Sequence, residues 1–207
     1  MIRLLIIILF LFAIEAAADT PNRSCETAKD SSMIVAAGGS IAEMLFALGA
    51  GDKVIAVDST AGYLPAADDL PSIGYVRNLS AEGILALKPS LVIGEHDMGP
   101  MEVIDQISGV DVQIRLIEES HSAEGIVEKL LCIAKILRFE AKAKEIISTQ
   151  LIDVVTALGD GGSKPASRAM VILNFVDNQP IVAGSDTSGD GILRMSGAEN
   201  IFSEIDG

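Results

Sequence analysis

The sequence predicts an α/β fold: two α/β lobes joined by one long rigid helix, with the second lobe incomplete. Three observations carry this. Short apolar, β-favouring runs alternate with helical patterns between Met33 and Ile117. A helical period then continues from Ser122 to about Leu158 with no Pro or Gly after Gly125. A shorter α/β stretch follows a Gly/Ser/Pro loop and runs to Gly207. The divisions are 1–18, an export signal; 19–32, a polar leader; 33–118, the first lobe; 119–158, the connecting helix; and 168–207, the start of the second lobe.

The elements follow in order. Met1 and Arg3 precede the apolar run Leu4–Ile14, and Ala16-Ala17-Ala18 offers small residues for cleavage. Glu15 ends the run short of the ~20 residues that a membrane span needs. Met33–Ala37 is a buried strand closed by Gly38-Gly39. Ser40 with Glu43 has capping-box spacing and starts a helix over Ile41–Leu48. Lys53–Val57 is a second strand, Ala81–Leu87 a short helix, Leu91–Gly94 a third strand, Met101–Ser108 a helix and Val110–Ile117 a fourth strand. Alternation with short connections implies a parallel sheet covered by helices. Over 122–158, apolar residues recur at Ile126, Leu130, Ile133, Leu137, Ala141, Ile146, Leu151 and Val155. One helix of ~35 residues would be ~50 Å long, a length suited to bridging two lobes; two helices with an unmarked kink is the alternative. Ala169–Phe175 and Pro180–Ala183 are strand-like, and Ile192–Ser196 begins a helix.

Composition narrows the function. The formal net charge is −14, which repels nucleic-acid backbones and anionic lipid. Aromatic residues are 4% with no Trp, so the core is aliphatic. Cys25 lies in the polar leader and Cys132 within an apolar helical pattern. An exported chain would permit a bridge, but the reading favoured here is one loose thiol and one core thiol.

Longer stretches carry a resemblance. They are Ala37-Gly38-Gly39-Ser40-Ile41-Ala42-Glu43, Gly49-Ala50-Gly51-Asp52, Val57-Asp58-Ser59-Thr60 and, above all, Leu70–Ile84 with its Gly74-Tyr75-Val76-Arg77-Asn78-Leu79-Ser80-Ala81-Glu82-Gly83 run. Lys88–Ile93, Ala183-Gly184 and Gly197–Phe202 fit as well. Together they resemble the periplasmic haemin-binding proteins of bacterial haem ABC importers, within the wider haem, cobalamin and siderophore binders. The resemblance implies a helical-backbone substrate-binding protein with ligand held between its lobes. It implies haem as transported ligand with no catalytic cofactor, and an inner-membrane permease as partner of a periplasmic monomer. It also implies more of the second lobe after Phe202, so that a truncated or interrupted reading frame is expected.

The same resemblance makes Tyr75 the axial ligand of haem iron and Arg77 a haem-binding residue. Tyrosinate is a hard anionic donor suited to ferric iron, and a cation at Arg77 would favour the phenolate. Tyr63 is the competing phenol and reads as a cleft wall or packing residue. His96 and Met98 follow the third strand at its C-terminal end, where open α/β sheets place ligand loops. His96 is the candidate second iron ligand, with a solvent-exposed loop histidine as the plainer reading. His121 reads as a surface residue. Leu173–Asp177 has no histidine where some haem-binding relatives use one. Glu82 matches the first-lobe glutamate that docks on the permease, and it also suits the first turn of a helix. Cobalamin or a ferric siderophore is the alternative ligand, and a non-functional truncated remnant is the other alternative. An enzyme is the reading from another class. Against it, the chain has no Gly-rich phosphate loop, His-Glu-x-x-His, Cys-x-x-Cys or nucleophile elbow.

Overall fold

The computed structural model describes residues 25–159 and 167–206. The export signal, the leader before Cys25 and most of the Gly/Ser/Pro loop lie outside those residues.

Four short strands, β1 (Ile34–Ala37), β2 (Val54–Val57), β3 (Leu91–Glu95) and β4 (Gln113–Ile117), form a parallel sheet in the order β2-β1-β3-β4. All four residues of β1 are buried, as expected of a parallel strand covered on both faces. Ile34, Ala36, Leu91 and Ile93 join one apolar cluster with α1 (Gly39–Ala47) and α4 (Ala123–Leu137). Val35, Ala37, Val92 and Leu116 join a second cluster with α2 (Ala81–Ala86) and α3 (Met101–Ser108). From β1 the chain moves outward to β2, and from β3 outward to β4 on the other side. The two halves therefore diverge between β1 and β3, a topological switch point.

Ser40 does not cap α1. The helix begins at Gly39 with Gly38 as its N-cap and no side-chain cap bond, and the Ser40 hydroxyl donates to Glu95 instead. Because the helix starts at Gly39, Ser40 lies inside its first turn, where its hydroxyl meets the part-buried Glu95 at the end of β3. β4 starts later than Val110, because Gly109–Asp111 turns the chain first.

The helical stretch after Ser122 is present, but it is not one continuous rod. α4 stops at Arg138, which takes a left-handed conformation at φ 64° and closes the helix with a bond to Ala134 O. α5 (Glu140–Ile146) restarts at once, and a π-helical segment, Ile147–Leu151, leads into α6 (Ile152–Gly159). Arg138 has no Gly or Pro signature, so nothing local marked the break. Packing explains it: Leu130, Ile133, Ala134 and Leu137 of α4, then Ala143 and Ile146 of α5, all bury against the first-lobe sheet. A straight helix would have carried the latter two away.

The two cysteines are bonded to each other, which overturns the reading of separate thiols. The leader from Cys25 onward is not loose. Ala28 N donates to Ile136 O at 2.9 Å, Thr27 Oγ1 to Lys135 O at 3.2 Å, and Arg115 Nε to Glu26 O at 3.1 Å. These bonds lay the leader along α4 and bring Cys25 to Cys132. The bridge spans 107 residues of sequence, and closing a loop of about that length stabilises by roughly 4–5 kcal/mol in the chain-entropy account.

The second α/β stretch is built from β5 (Ser167–Ala169), β6 (Ile172–Val176), β7 (Gln179–Val182), α7 (Ser188–Met195) and β8 (Ala198–Asn200). The single strand expected over Ala169–Phe175 is thus two: β5 pairs in parallel with β8, while β6 pairs antiparallel with β7. Asp177 and Asn178 both have positive φ, 48° and 63°, as a tight hairpin turn requires. Asn200, 3% exposed, donates to Ala183 O and to Asp190 Oδ1, both at 3.1 Å, and ties β8 to α7. That contact gives the Gly197–Phe202 stretch a structural reason.

Candidate functional site

The C-terminal ends of β1, β2 and β3 carry most of the chain's distinctive residues, and backbone bonds fix their loops. Asp58, 1% exposed, accepts from Gly38 N at 2.9 Å and from Thr60. Thr60 Oγ1 in turn accepts from Gly39 N at 2.7 Å. A Cβ on Gly39 would sit 2.7 Å from Thr60 O, so only glycine permits this approach.

The loop carrying Tyr75 is pinned along both sides. Val57 N donates to Pro71 O at 3.1 Å, Ile73 N to Val57 O at 2.9 Å and Ser59 N to Gly74 O at 2.7 Å. On the other side Gly99 N donates to Val76 O at 3.0 Å and Leu79 N to Gly99 O at 2.9 Å. Val76 and Leu79 turn inward, 5% and 6% exposed, and leave Tyr75 half exposed between its anchors at 49%. The Tyr-x-Arg-x-Leu spacing therefore encodes a two-anchor loop that presents its phenol to solvent.

Arg77 also points outward, but it is not alone. Its Nε and Nη2 reach Asp97 Oδ2 at 2.7 and 2.6 Å, and that bond first, then the charge of Asp97, makes the guanidinium harder to deprotonate. The Tyr75 side chain acts on Arg77 in the same direction through a weaker charge interaction. Asp97 Oδ1 is buried with no hydrogen-bond partner. His96, next to Asp97, is exposed. Met98 is 3% exposed, with its sulfur over Gly94, so it is core and not a ligand for the cleft. Glu82 is exposed in the first turn of α2, whose N-cap Ser80 accepts from Gly83 N.

Tyr63 is 61% exposed, yet held firmly. Its hydroxyl donates to Glu43 Oε2 at 2.8 Å, and its ring comes within 3.2 Å of where a Gly39 Cβ would stand. Partial burial, and then the Glu43 hydrogen bond and charge, push its pKa up to about 12.

Where α1 and the end of β3 meet α4 lies a polar cluster that the sequence did not announce. Lys129 of α4 is 6% exposed; its Nζ reaches Ser40 Oγ at 2.7 Å, Glu95 Oε1 at 2.8 Å and Glu119 Oε1 at 3.3 Å. The available signal was a lone cation within the apolar face of a helix. Asp97 gave no local signal, since it meets Arg77 only across two loops.

His121 is half-buried where the two α/β stretches meet, contrary to its surface reading. Its Nδ1 lies 3.4 Å from Ser188 Oγ, and its carbonyl accepts from Arg194 Nη2 at 3.5 Å. Glu119, His121, Ile126, Ser188 and Met195 line a hollow of about 140 Å³ here. That is below the roughly 300–1,000 Å³ usual for a small-molecule pocket. Among the described residues no helix is long and apolar enough to cross a membrane.

The family described as periplasmic binding protein matches residues 34–207. The chain belongs to it. Members of this periplasmic binding protein family are named for binding and not for a catalysed reaction. Among solved structures, the chain is similar to apo RhuT, a periplasmic haem-binding protein from Roseiflexus sp. RS-1. The identity is 32% and the TM-score 0.72, over 82% of this chain and 65% of that one. It is also similar to the periplasmic haem-binding protein HutB of Vibrio cholerae, at 31% identity and TM-score 0.74, over 86% and 68%. Among curated relatives, the vitamin B12-binding protein of Pectobacterium carotovorum subsp. carotovorum (strain PC1) is 27% identical over 78% of this chain. The chain spans 58% of that relative's length. As in those structures, the fold is the α/β substrate-binding architecture that the resemblance implied.

Proposed function

We propose that this periplasmic binding protein captures haem in the periplasm and delivers it to an ABC importer's permease. Haem lies between the lobes on the rim formed by the C-terminal ends of β1–β3. Tyr75 ligates the iron as tyrosinate, and Arg77, oriented by Asp97, supplies positive charge beside it. His96 is the nearest candidate for a second ligand, and Glu82 is the docking acid of the first lobe. The observation that carries this reading is the half-exposed phenol of Tyr75 on a loop anchored on both sides. The two haem-binding relatives, each above 30% identity, support haem as the ligand.

Titration of the purified chain with haemin, followed by visible absorption, tests it. A saturable high-spin ferric tyrosinate spectrum is expected, and Tyr75→Phe should lose it with affinity falling on the order of 10–100-fold. A spectrum unchanged in Tyr75→Phe would remove Tyr75 from the iron. The second reading, cobalamin, draws support from the vitamin B12-binding relative. Saturable binding of cobalamin, indifferent to Tyr75→Phe, would favour it.

A further inference from the structure

An exposed aromatic ring usually has no fixed partner; that of Tyr63 has two. It is 61% exposed, but one edge rests on Gly39 and its hydroxyl is bonded to Glu43. Both partners belong to α1, Gly39 at its start beside the switch point and Glu43 one turn on. The loop that ends in Tyr63 is the one whose Ser59 amide bonds Gly74, the residue before Tyr75. Little core packing is gained by holding this ring, since most of it remains in solvent. An exposed aromatic face held by two contacts beside the strand ends suits stacking against a flat conjugated ligand. Iron ligation would need the phenolate, and an acid already accepting the phenol proton opposes that. Glu43 and Glu95 flank the same spot, so an anionic edge of a ligand is repelled there while an uncharged ring face is not.

Resting on the haem reading above, we propose that Tyr63, clamped by Glu43 over Gly39, is a stacking platform for the face of the macrocycle and not a second iron ligand. The ligand's carboxylates then point away from α1.

The test uses the full chain with two probes, haemin and metal-free protoporphyrin IX. Excited in the visible, where the protein does not absorb, the porphyrin's own fluorescence reports binding without protein background. Tyr63→Leu should weaken both probes by a similar factor, about tenfold, while haemin that does bind keeps the wild-type spectrum. Tyr63→Phe keeps the ring and should lose no more than about threefold. Equal affinities of Tyr63→Leu and wild type would overturn the platform and leave the haem reading intact. So would a changed haemin spectrum in Tyr63→Leu, which would make Tyr63 a ligand. Failure of the wild type to bind either probe would instead overturn the haem reading on which the platform depends.

Discussion

A phenol holds its proton more tightly where burial and a neighbouring carboxylate penalise its anion, and Tyr63 faces the Glu43 carboxylate at 2.8 Å. In the Tyr75→Phe protein Tyr63 is the sole phenol. Its phenolate absorbance should rise with a midpoint near 12, and Glu43→Gln should bring that midpoint down toward the ordinary ~10. The folded value lies above the unfolded one. The Tyr63 environment therefore contributes stability fully below pH ~10 and loses it as pH climbs toward 12. A midpoint at ~10 in the unsubstituted Glu43 background would show that the clamp is not made in solution. At this scale the sequence was legible where residues stand close together in one stretch, as Glu82 does with the helix start it follows. It was silent where they meet across loops, as Arg77 with Asp97, or Tyr63 with Glu43, 20 positions apart in both cases.

The strands and helices of the first lobe stand where apolar runs and turn residues put them, because each is buried on the face its pattern specified. The departures share one cause, competition from tertiary partners. Ser40 abandons the cap for Glu95, and α4 breaks at Arg138 so that α5 stays on the sheet. Cys25 appeared loose because the leader's order comes from α4 and β4, more than 80 residues away in sequence. Lys129 is the most consequential of these partners, since it fastens α4 to the ends of β1 and β3. Replacing it by Met would leave Glu95 and Glu119 facing each other without a cation. We expect Lys129→Met to lower the urea unfolding free energy by about 3 kcal/mol. Adding Glu95→Gln should recover part of the loss. A change below ~1 kcal/mol would mean that solvent reaches the cluster and screens it.

Over the whole molecule, burial is uneven. Both apolar clusters are built from residues between Ala28 and Ile146, whereas β6 is exposed along all five residues, with Leu173 at 63% and Phe175 at 60%. Strands without a covering layer open readily and invite pairing with other chains. In limited proteolysis we expect bonds in 33–158 to survive and bonds in 160–207 to be cut first; equal rates in the two regions would contradict the contrast in burial. The bridge between Cys25 and Cys132 changes how that experiment reads. It closes a covalent circle that contains β1, β2, β3 and β4 entire. A nick inside the circle leaves one covalent molecule, heavier only by the water consumed, until a reductant is added. A nick beyond Cys132 sheds a fragment at once. Paired reducing and non-reducing lanes would therefore map each cut to one side of that bond, and the first lobe would keep its pieces together through damage that the rest of the chain does not survive.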